Sequence, residues 1–506
     1  MTEHAVAVAG AGPTGLMLAG ELALAGVDVA ILERRPDQRL SGARALGISS
    51  RTIEVLDQRG IADRFLSAGQ IAQVTSFGVT RLDISDFPTR HNYGLGLAQK
   101  HIERILAEWV AELKVPILYG AEITGFVQDD ASVDVALADG RSLRSQYLVG
   151  CDGGRSLVRK AAGIDFPGWD PTTSNILAEV EMTVKPPYGV HRSAAGTYAF
   201  GREEYEIKNG EIIYKEVGPI RVMVTEPNAN AMSEPTLDDL KKLLISSCGT
   251  DYGVHSPTWI SRFTDMTRQA SAYRSGRVLL AGDAAHVHSP IGGQGLGVGV
   301  QDAVNLGWKL AQVINGASPD ALLDTYHAER HPVGARMLKA TMAQVAVHRE
   351  DDRTLAMRDI LGDLLKMEEP RKHIAGMMSG LDIRYEFGDG HPLLGRRMPD
   401  LDMITASGTL RVFSFLHRAQ PVLFNFGEPR AIDIAPWSGR VQYVDANYSG
   451  TWNLPVLGDI TAPTAVLVRP DGYGAWVGDG TVRGLTEAMT KWFGTPMKDG
   501  AALALR

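Results

Sequence analysis

Residues 5–33 restrict the fold more than any other stretch of the chain. Ala5–Gly10 is a short apolar run suited to a strand buried on both faces. Gly10-Ala-Gly12-Pro13-Thr14-Gly15 follows, then residues of helical spacing up to Ala25, a glycine, a second apolar run Val27–Leu32, and the acid Glu33. Strand, glycine turn, helix, strand and acid, in that order, make a dinucleotide-binding βαβ unit. Gly10 is expected to permit the tight turn, Gly12 to let backbone amides reach a pyrophosphate, and Gly15 to let helix and strand pack closely. The phosphates would sit at the helix N-terminus, over Pro13 and Thr14. Glu33, with Arg34 beside it, can accept the hydroxyls of an adenosine ribose, and its charge would repel a 2′-phosphate, which excludes NADP as the bound dinucleotide. NAD and FAD both remain open on this motif alone.

A second motif narrows the choice. The apolar run Val278–Ala281 ends in Gly282-Asp283, and a glycine-dense loop holding His286, His288, Pro290, Gly293, Gly295, Leu296 and Gly297 leads into a helix expected from about Val298 to Ile314, stopped by Asn315-Gly316. An acid at the end of a strand is placed to bond a polyol, and a helix start after glycines offers amides and a positive dipole end to an electron-rich group. Two such sites about 270 residues apart in sequence call for a long cofactor with a diphosphate at one end and a ring able to carry negative charge at the other. FAD meets both requirements, with its ribityl chain at Asp283 and its pyrimidine edge near Gly295–Gly297.

These residues resemble the single-component FAD-dependent aromatic hydroxylases, the p-hydroxybenzoate hydroxylase-like class A flavoprotein monooxygenases. A third segment carries the resemblance further: Tyr147-Leu-Val-Gly150-Cys151-Asp152-Gly153-Gly154-Arg155-Ser156-Leu-Val-Arg159 matches the family's strand ending in Asp-Gly. The resemblance places Asp152 beside the flavin and implicates it in use of NADPH or NADH. It also assigns flavin contacts to Arg44, to Gln99 just before a helix Ile102–Leu113, and to Pro290. Many family members have asparagine where this chain has Gly297, which removes a side-chain contact to the ring and leaves the amides. The implied reaction is reduction of FAD by NAD(P)H, addition of O2 as a C4a-hydroperoxide, and attack of an electron-rich phenol on the distal oxygen.

Composition fits such an enzyme. There are 506 residues with 51 Lys and Arg against 59 Asp and Glu, a net charge of −8, which argues against a general nucleic-acid binder. Glycine is in surplus, 55 residues or about 11 % against a usual ~7 %. Cys151 and Cys248 are the only cysteines. They cannot build a disulfide framework or a cysteine metal site and suit a reducing cytosol. The N-terminus lacks the basic start of a signal peptide and no uncharged run spans a membrane, so a cytoplasmic location is expected, with no metal, no nucleic acid, no membrane, a small-molecule aromatic substrate as partner, and a homodimer allowed.

The expected architecture is α/β: a Rossmann-like FAD-binding domain (1–170, resumed with long helices at 276–390), a β-sheet substrate domain (171–275) and a C-terminal thioredoxin-like α/β domain (391–506). Strands are expected at Ile176–Val184, Thr197–Gly201, Tyr205–Tyr214 with a turn at Asn209-Gly210, and Ile220–Glu226, followed by a helix Leu237–Cys248. Pro332 should break or kink the helical stretch 319–380. In the tail, Pro421–Phe426, Val441–Val444 and Ala465–Val477 read as strands, the last turning at Pro470–Gly472, and Leu485–Phe493 as a helix. Without a Cys-x-x-Cys pair this tail has no dithiol chemistry and reads as scaffold or interface. No catalytic base stands out; Arg192, Tyr205, Tyr214 and Arg221 are the candidates for orienting a phenolate, and His286 and His288 read first as structural. The tail resembles the thioredoxin-like tail of the larger hydroxylases acting on polyketides and rifamycins, a subgroup that also includes phenol-type enzymes, and with the chain length this resemblance implies a large polycyclic phenol of polyketide type as substrate. A small catabolic phenol, a Baeyer–Villiger reaction on the same scaffold, and a non-oxygenating flavin protein stay open.

Overall fold

The computed structural model describes residues 2–496 apart from 41, 43, 44, 194, 203, 209, 210, 230–232 and 350, and apart from the side chains of 2, 205–208, 211 and 212. Thr2–Ala9 forms a strand whose Val6, Ala7 and Val8 are fully buried, as an apolar run without polar alternation requires inside a parallel sheet covered on both faces. It pairs in parallel with Val29–Glu33 on one side and Ser142–Gly150 on the other, and Ser142–Gly150 pairs in parallel with Val278–Leu280. Ala9 lies opposite Gly150 and Gly150 opposite Leu280. Three neighbouring strands therefore end side by side, each running straight into one of the three motif loops. That edge, beyond the carboxyl ends of parallel strands, is where α/β sheets bind their ligands.

The helix Pro13–Leu24 leaves the first loop and packs against the long helix Gly295–Ile314, which leaves the third. The second helix begins three residues earlier than its apolar pattern indicates, because glycines at 295 and 297 take helical geometry here while giving no periodic signal. Gln99 likewise opens the helix Gln99–Glu112 instead of preceding it.

A five-stranded antiparallel sheet interrupts this unit, in the spatial order Gly189–Ser193, Gly196–Arg202, Ile220–Glu226, Ser174–Met182, Val254–Thr264. Ile176, Ala178, Val180, Val222 and Val224 alternate onto one face, where Leu240 and Leu244 of the helix Leu237–Cys248 cover them. The strand pair expected over Tyr205–Tyr214 forms a ribbon apart from this sheet, Tyr205–Lys208 paired with Glu211–Tyr214, and the turn expected at 209 and 210 lies outside the described residues. Gly189–Ser193 and Val254–Thr264 have no counterpart in the sequence reading. Both are edge strands, and Pro257 obscures the second; an edge tolerates proline because one side of the strand needs no partner.

Pro332 does not break its helix: Asp324–Val347 runs through it, with Glu329, Arg330 and Val333 buried on either side of the proline. Tertiary packing there outweighs one missing helix hydrogen bond. Beyond it a six-stranded sheet runs in the order Gly408–Arg411, Asp402–Thr405, Gln442–Asn447, Val422–Asn425, Ala465–Val468, Gly474–Gly478. Val422–Asn425 is parallel to Gln442–Asn447 and antiparallel to Ala465–Val468, and Leu485, Met489 and Trp492 of the helix Leu485–Phe493 pack on this sheet, a thioredoxin-like arrangement.

Candidate functional site

The three loops touch. Gly10 turns with φ +101°, and a Cβ there would lie 2.6 Å from the carbonyl of Cys151. A Cβ on Gly15 would collide with the carbonyl of Gly10, so only glycine lets the helix start this close to the turn. Thr14 Oγ1 occupies the gap between Gly282 and Gly299, whose own Cα atoms are near neighbours. By contrast a Cβ on Gly12 or Gly293 would meet nothing within 4 Å. Glycines locked by close approach thus surround glycines that face open space, a cradle shaped for a bound group and consistent with FAD.

Around this cradle the charged motif residues are held in particular ways. Glu33 is buried and its carboxylate accepts the Ala11 amide at 2.7 Å and the Arg35 amide at 2.9 Å. Arg35, two residues beyond and on the same side of the chain, pairs with Glu33 and with buried Glu103, while Arg34 points outward and is exposed. Gln99 accepts the Ala45 amide at 3.2 Å and donates to Glu103 at 2.8 Å, so it anchors the segment next to Arg44; Arg44 itself lies outside the described residues. Asp152 Oδ2 caps the helix Leu157–Ala161 through the Val158 amide, and its Oδ1, although buried, has no partner. Arg159 donates to the carbonyls of Ala284 and Gly154 at 2.8 and 3.0 Å, tying the second loop to the third.

Asp283 is exposed on a 3₁₀ turn, Gly282–Ala284, and Pro290 is exposed five residues after Ala285, at the start of a turn closed by the Gly293 amide. His288 sets Nδ1 on the carbonyl of Ser289 at 2.5 Å, and its Nε2 would lie 2.7 Å from a Cβ on Gly295. Burial holds its pKa below the ordinary histidine range, against the opposing pull of Asp283. His286 is fully buried and bonds Asp302. At Gly297 a Cβ would lie 2.5 Å from Thr52 Oγ1 and near Ser49, so the glycine that replaces the family asparagine faces a buried hydroxyl filling the same space.

Of the four candidates on the sheet, three gather on one face. Glu179 lies opposite both Arg221 and Trp259, Arg221 opposite Gly201, and Arg192 opposite Thr197. Cross-strand partners share a face, and this is the face turned away from the Leu237–Cys248 helix. Tyr214 reaches it from the ribbon, its ring 3.2 Å from where a Gly201 Cβ would stand. The backbone of Tyr205 pairs with Tyr214, and its side chain lies outside the described residues. Asn175, Leu177, Met223, Thr225 and Phe263 complete the face, all half-buried. The Trp259 ring packs where a Cβ of Gly42 would be, so this edge of the face packs against the chain at Gly42. Trp259 and Phe263 escaped the sequence reading because their strand did; the alternation Trp259, Ser261, Phe263 is the signal that could have found them.

Comparison with known proteins bears on the same residues. Residues 3–341 match the FAD binding domain family and residues 391–496 the aromatic-ring hydroxylase C-terminal family. A 12-dehydrotetracycline 5-monooxygenase/anhydrotetracycline 6-monooxygenase of Streptomyces rimosus is 41 % identical over 507 residues, covering 97 % of this chain and 99 % of that protein. A rifampicin monooxygenase of Streptomyces venezuelae is 41 % identical over 494 residues, covering 97 % and 98 %. The crystal structure of CabE, an aromatic hydroxylase from angucycline biosynthesis, superposes with a TM-score of 0.88 at 41 % identity, over 98 % of this chain and all of that one. With relatives this similar from end to end, the chain belongs to the FAD-dependent aromatic-ring hydroxylases, monooxygenases that work with FAD and O2.

Proposed function

We propose that this protein hydroxylates a large polycyclic phenol of polyketide type, taking electrons from NADPH or NADH. One observation carries the substrate class: a broad half-buried face formed by five strands, with Leu177 and Met223 on its middle strands and Trp259 and Phe263 on the edge strand, where Trp259 packs against Gly42. Relatives named for tetracycline and rifampicin oxidation support it. FAD supplies the redox and oxygen-activating chemistry when bound.

The chain's own part is to bind, orient and exclude water. The N-terminus of the helix Pro13–Leu24 would hold the diphosphate, with Glu33 at the adenosine ribose and Asp283 at the polyol. The start of the helix Gly295–Ile314 would turn its amides and dipole toward the pyrimidine edge of bound FAD and favour negative charge there. Asp152, one of whose carboxylate oxygens has no partner, would accept a hydrogen bond from cofactor or electron donor. Arg221, Arg192 and Tyr214 offer donors to a phenolate, Leu177, Met223, Trp259 and Phe263 offer apolar contact, and Pro290 shields the ring from water.

The test is NADPH and NADH oxidation by the FAD-loaded protein with a panel of small and polycyclic phenols, with product mass recorded. A polycyclic phenol that accelerates NAD(P)H consumption and gains one oxygen is expected. Gain of oxygen on small phenols alone would overturn the substrate class, and loss of NAD(P)H with no oxygenated product from any phenol would overturn the hydroxylase reading.

A further inference from the structure

Asp302 stands on the second turn of the helix Gly295–Ile314 with no exposure to solvent, and Arg330 on the neighbouring helix Asp324–Val347 is equally buried. A carboxylate so placed must have every lone pair matched by a donor. Asp302 Oδ2 accepts the Gly282 amide at 3.1 Å and His286 Nε2 at 2.7 Å, and Oδ1 accepts Arg330 Nε at 2.7 Å. His286 Nδ1, also buried, has no partner. Arg330 also donates to the Val298 carbonyl at 3.2 Å and to the Tyr385 hydroxyl at 3.2 Å.

These partners sit at two different ends of the cradle. Gly282 opens the turn that presents Asp283, and Val298 closes the first turn of the helix whose amides face the ring position. His286 lies between them on the short strand His286–Val287. Neither Asp302 nor Arg330 lines the cradle: the carboxylate is covered by Gly282 and His286, and the guanidinium lies behind Val298. Burial alone would push the Asp302 pKa up, but Arg330 and His286 outweigh it and hold it below the usual carboxylate range, so the carboxylate keeps its charge and its grip on the Gly282 amide.

We propose that Asp302, braced by Arg330, is a positioning residue that fixes the distance between the polyol-binding turn and the ring-binding helix start, and so sets both the affinity for FAD and the restraint on its ring. The inference rests on the cofactor geometry proposed above. Losing the charge on Asp302 removes charge-assisted bonds to three groups at once, and the Gly282 turn is then free to shift against the helix.

The experiment uses full-length protein and compares FAD dissociation constants, fluorescence anisotropy of the bound flavin, and thermal stability. Asp302→Asn is expected to weaken FAD binding at least about tenfold and to lower the anisotropy. Arg330→Lys, which keeps the charge but lacks the planar fork that reaches Val298 and Tyr385 together, should move both readings in the same direction by less. Glu21→Gln breaks another fully buried pair, Glu21 with Arg59 at 2.5 and 2.8 Å, remote from Gly282. It should lower the melting temperature comparably with the dissociation constant and anisotropy unchanged. Should Asp302→Asn not fold, Arg330→Lys decides alone. Wild-type affinity and anisotropy in Arg330→Lys, or in both variants, would show Asp302 to be structural only and overturn the proposal. Failure of the wild-type chain to bind FAD would overturn the cofactor geometry, and this inference with it.

Discussion

At Gly297 a single atom decides what the loop can hold. Thr52 Oγ1 stands 2.5 Å from the position of a Cβ, closer than van der Waals contact allows, so an asparagine of the usual family type cannot enter without displacing a buried hydroxyl. Gly297→Asn is therefore expected to weaken FAD binding, and Thr52→Ala in the same chain to recover most of the loss, because the two changes share one space and their effects do not add. FAD titrations of the two single variants and the double variant measure it; additive losses would show that the conflict lies elsewhere. Asp283→Ala tests the polyol contact, with an expected weakening of about tenfold for one charge-assisted hydrogen bond; an unchanged dissociation constant would remove Asp283 from the site. Residues of this kind were legible where glycine spacing reports backbone geometry, as the turn at Gly10 and the close approach at Gly15 show. Arg35 was not, since the side of the chain on which an arginine leaves the end of a strand depends on where Glu103 stands, and Glu103 is 68 positions away.

The helix Gly295–Ile314 illustrates the same limit for a whole element. Its apolar spacing and its stop at Asn315-Gly316 announce a buried helix, but nothing in the spacing of Asp302, Asn305 and Lys309, three and four residues apart on one face, reveals that these polar side chains are buried as well, since charged side chains are seldom buried unpaired. In the structure that face is sealed. Lys309 and Asn305 meet Glu329 at 3.0 and 2.7 Å, and Arg469 grips Glu329 with two bonds of 2.8 and 2.7 Å, among the rings of Trp308, Tyr385, Phe387 and Trp492. Burial raises the Glu329 pKa, yet Arg469 and Lys309 together overcome it and bring it from 4.5 to about 2. Between those values the unfolded chain binds the proton and the folded chain does not. Stability from this group is therefore complete above pH 4.5 and is lost as pH falls toward 2, by up to about 3 kcal/mol. Glu329→Gln leaves buried Lys309 without its carboxylate and Arg469 with Asp471 alone, and should cost about 3 kcal/mol at neutral pH, while flattening the acid limb of a urea-unfolding series between pH 5 and 3. An acid limb as steep as that of the wild type would show that Glu329 does not carry this linkage.

Across the whole molecule the tail is fastened to the helices around the cradle rather than resting beside them. The turn Pro470–Gly472 offers the Pro470 carbonyl to Arg59 at 2.8 Å and the Asp471 carbonyl to Arg51 at 3.0 Å, and Asp471 accepts Asn305 at 3.1 Å. A chain ending at 390 would leave Glu329 without Arg469 and open the aromatic cluster around Trp308. It should yield little folded, FAD-binding protein, measured as flavin content of the soluble fraction. The opposite wall of the site is lighter. Trp259 is half-buried on an edge strand, and its ring packs against Gly42. Trp259→Ala removes that ring without touching the covered core of the sheet, so unfolding stability should change by less than about 1.5 kcal/mol. The gap it leaves admits water to a site whose oxygen transfer depends on excluding it. FAD affinity should stay as it is, KM for the aromatic substrate should rise, and a larger share of the NAD(P)H consumed should end as hydrogen peroxide instead of hydroxylated product. Parallel measurement of NAD(P)H loss, peroxide and product separates these outcomes: unchanged coupling would mean that the seal lies elsewhere on the face, and a lost flavin would mean that Trp259 supports the cradle itself.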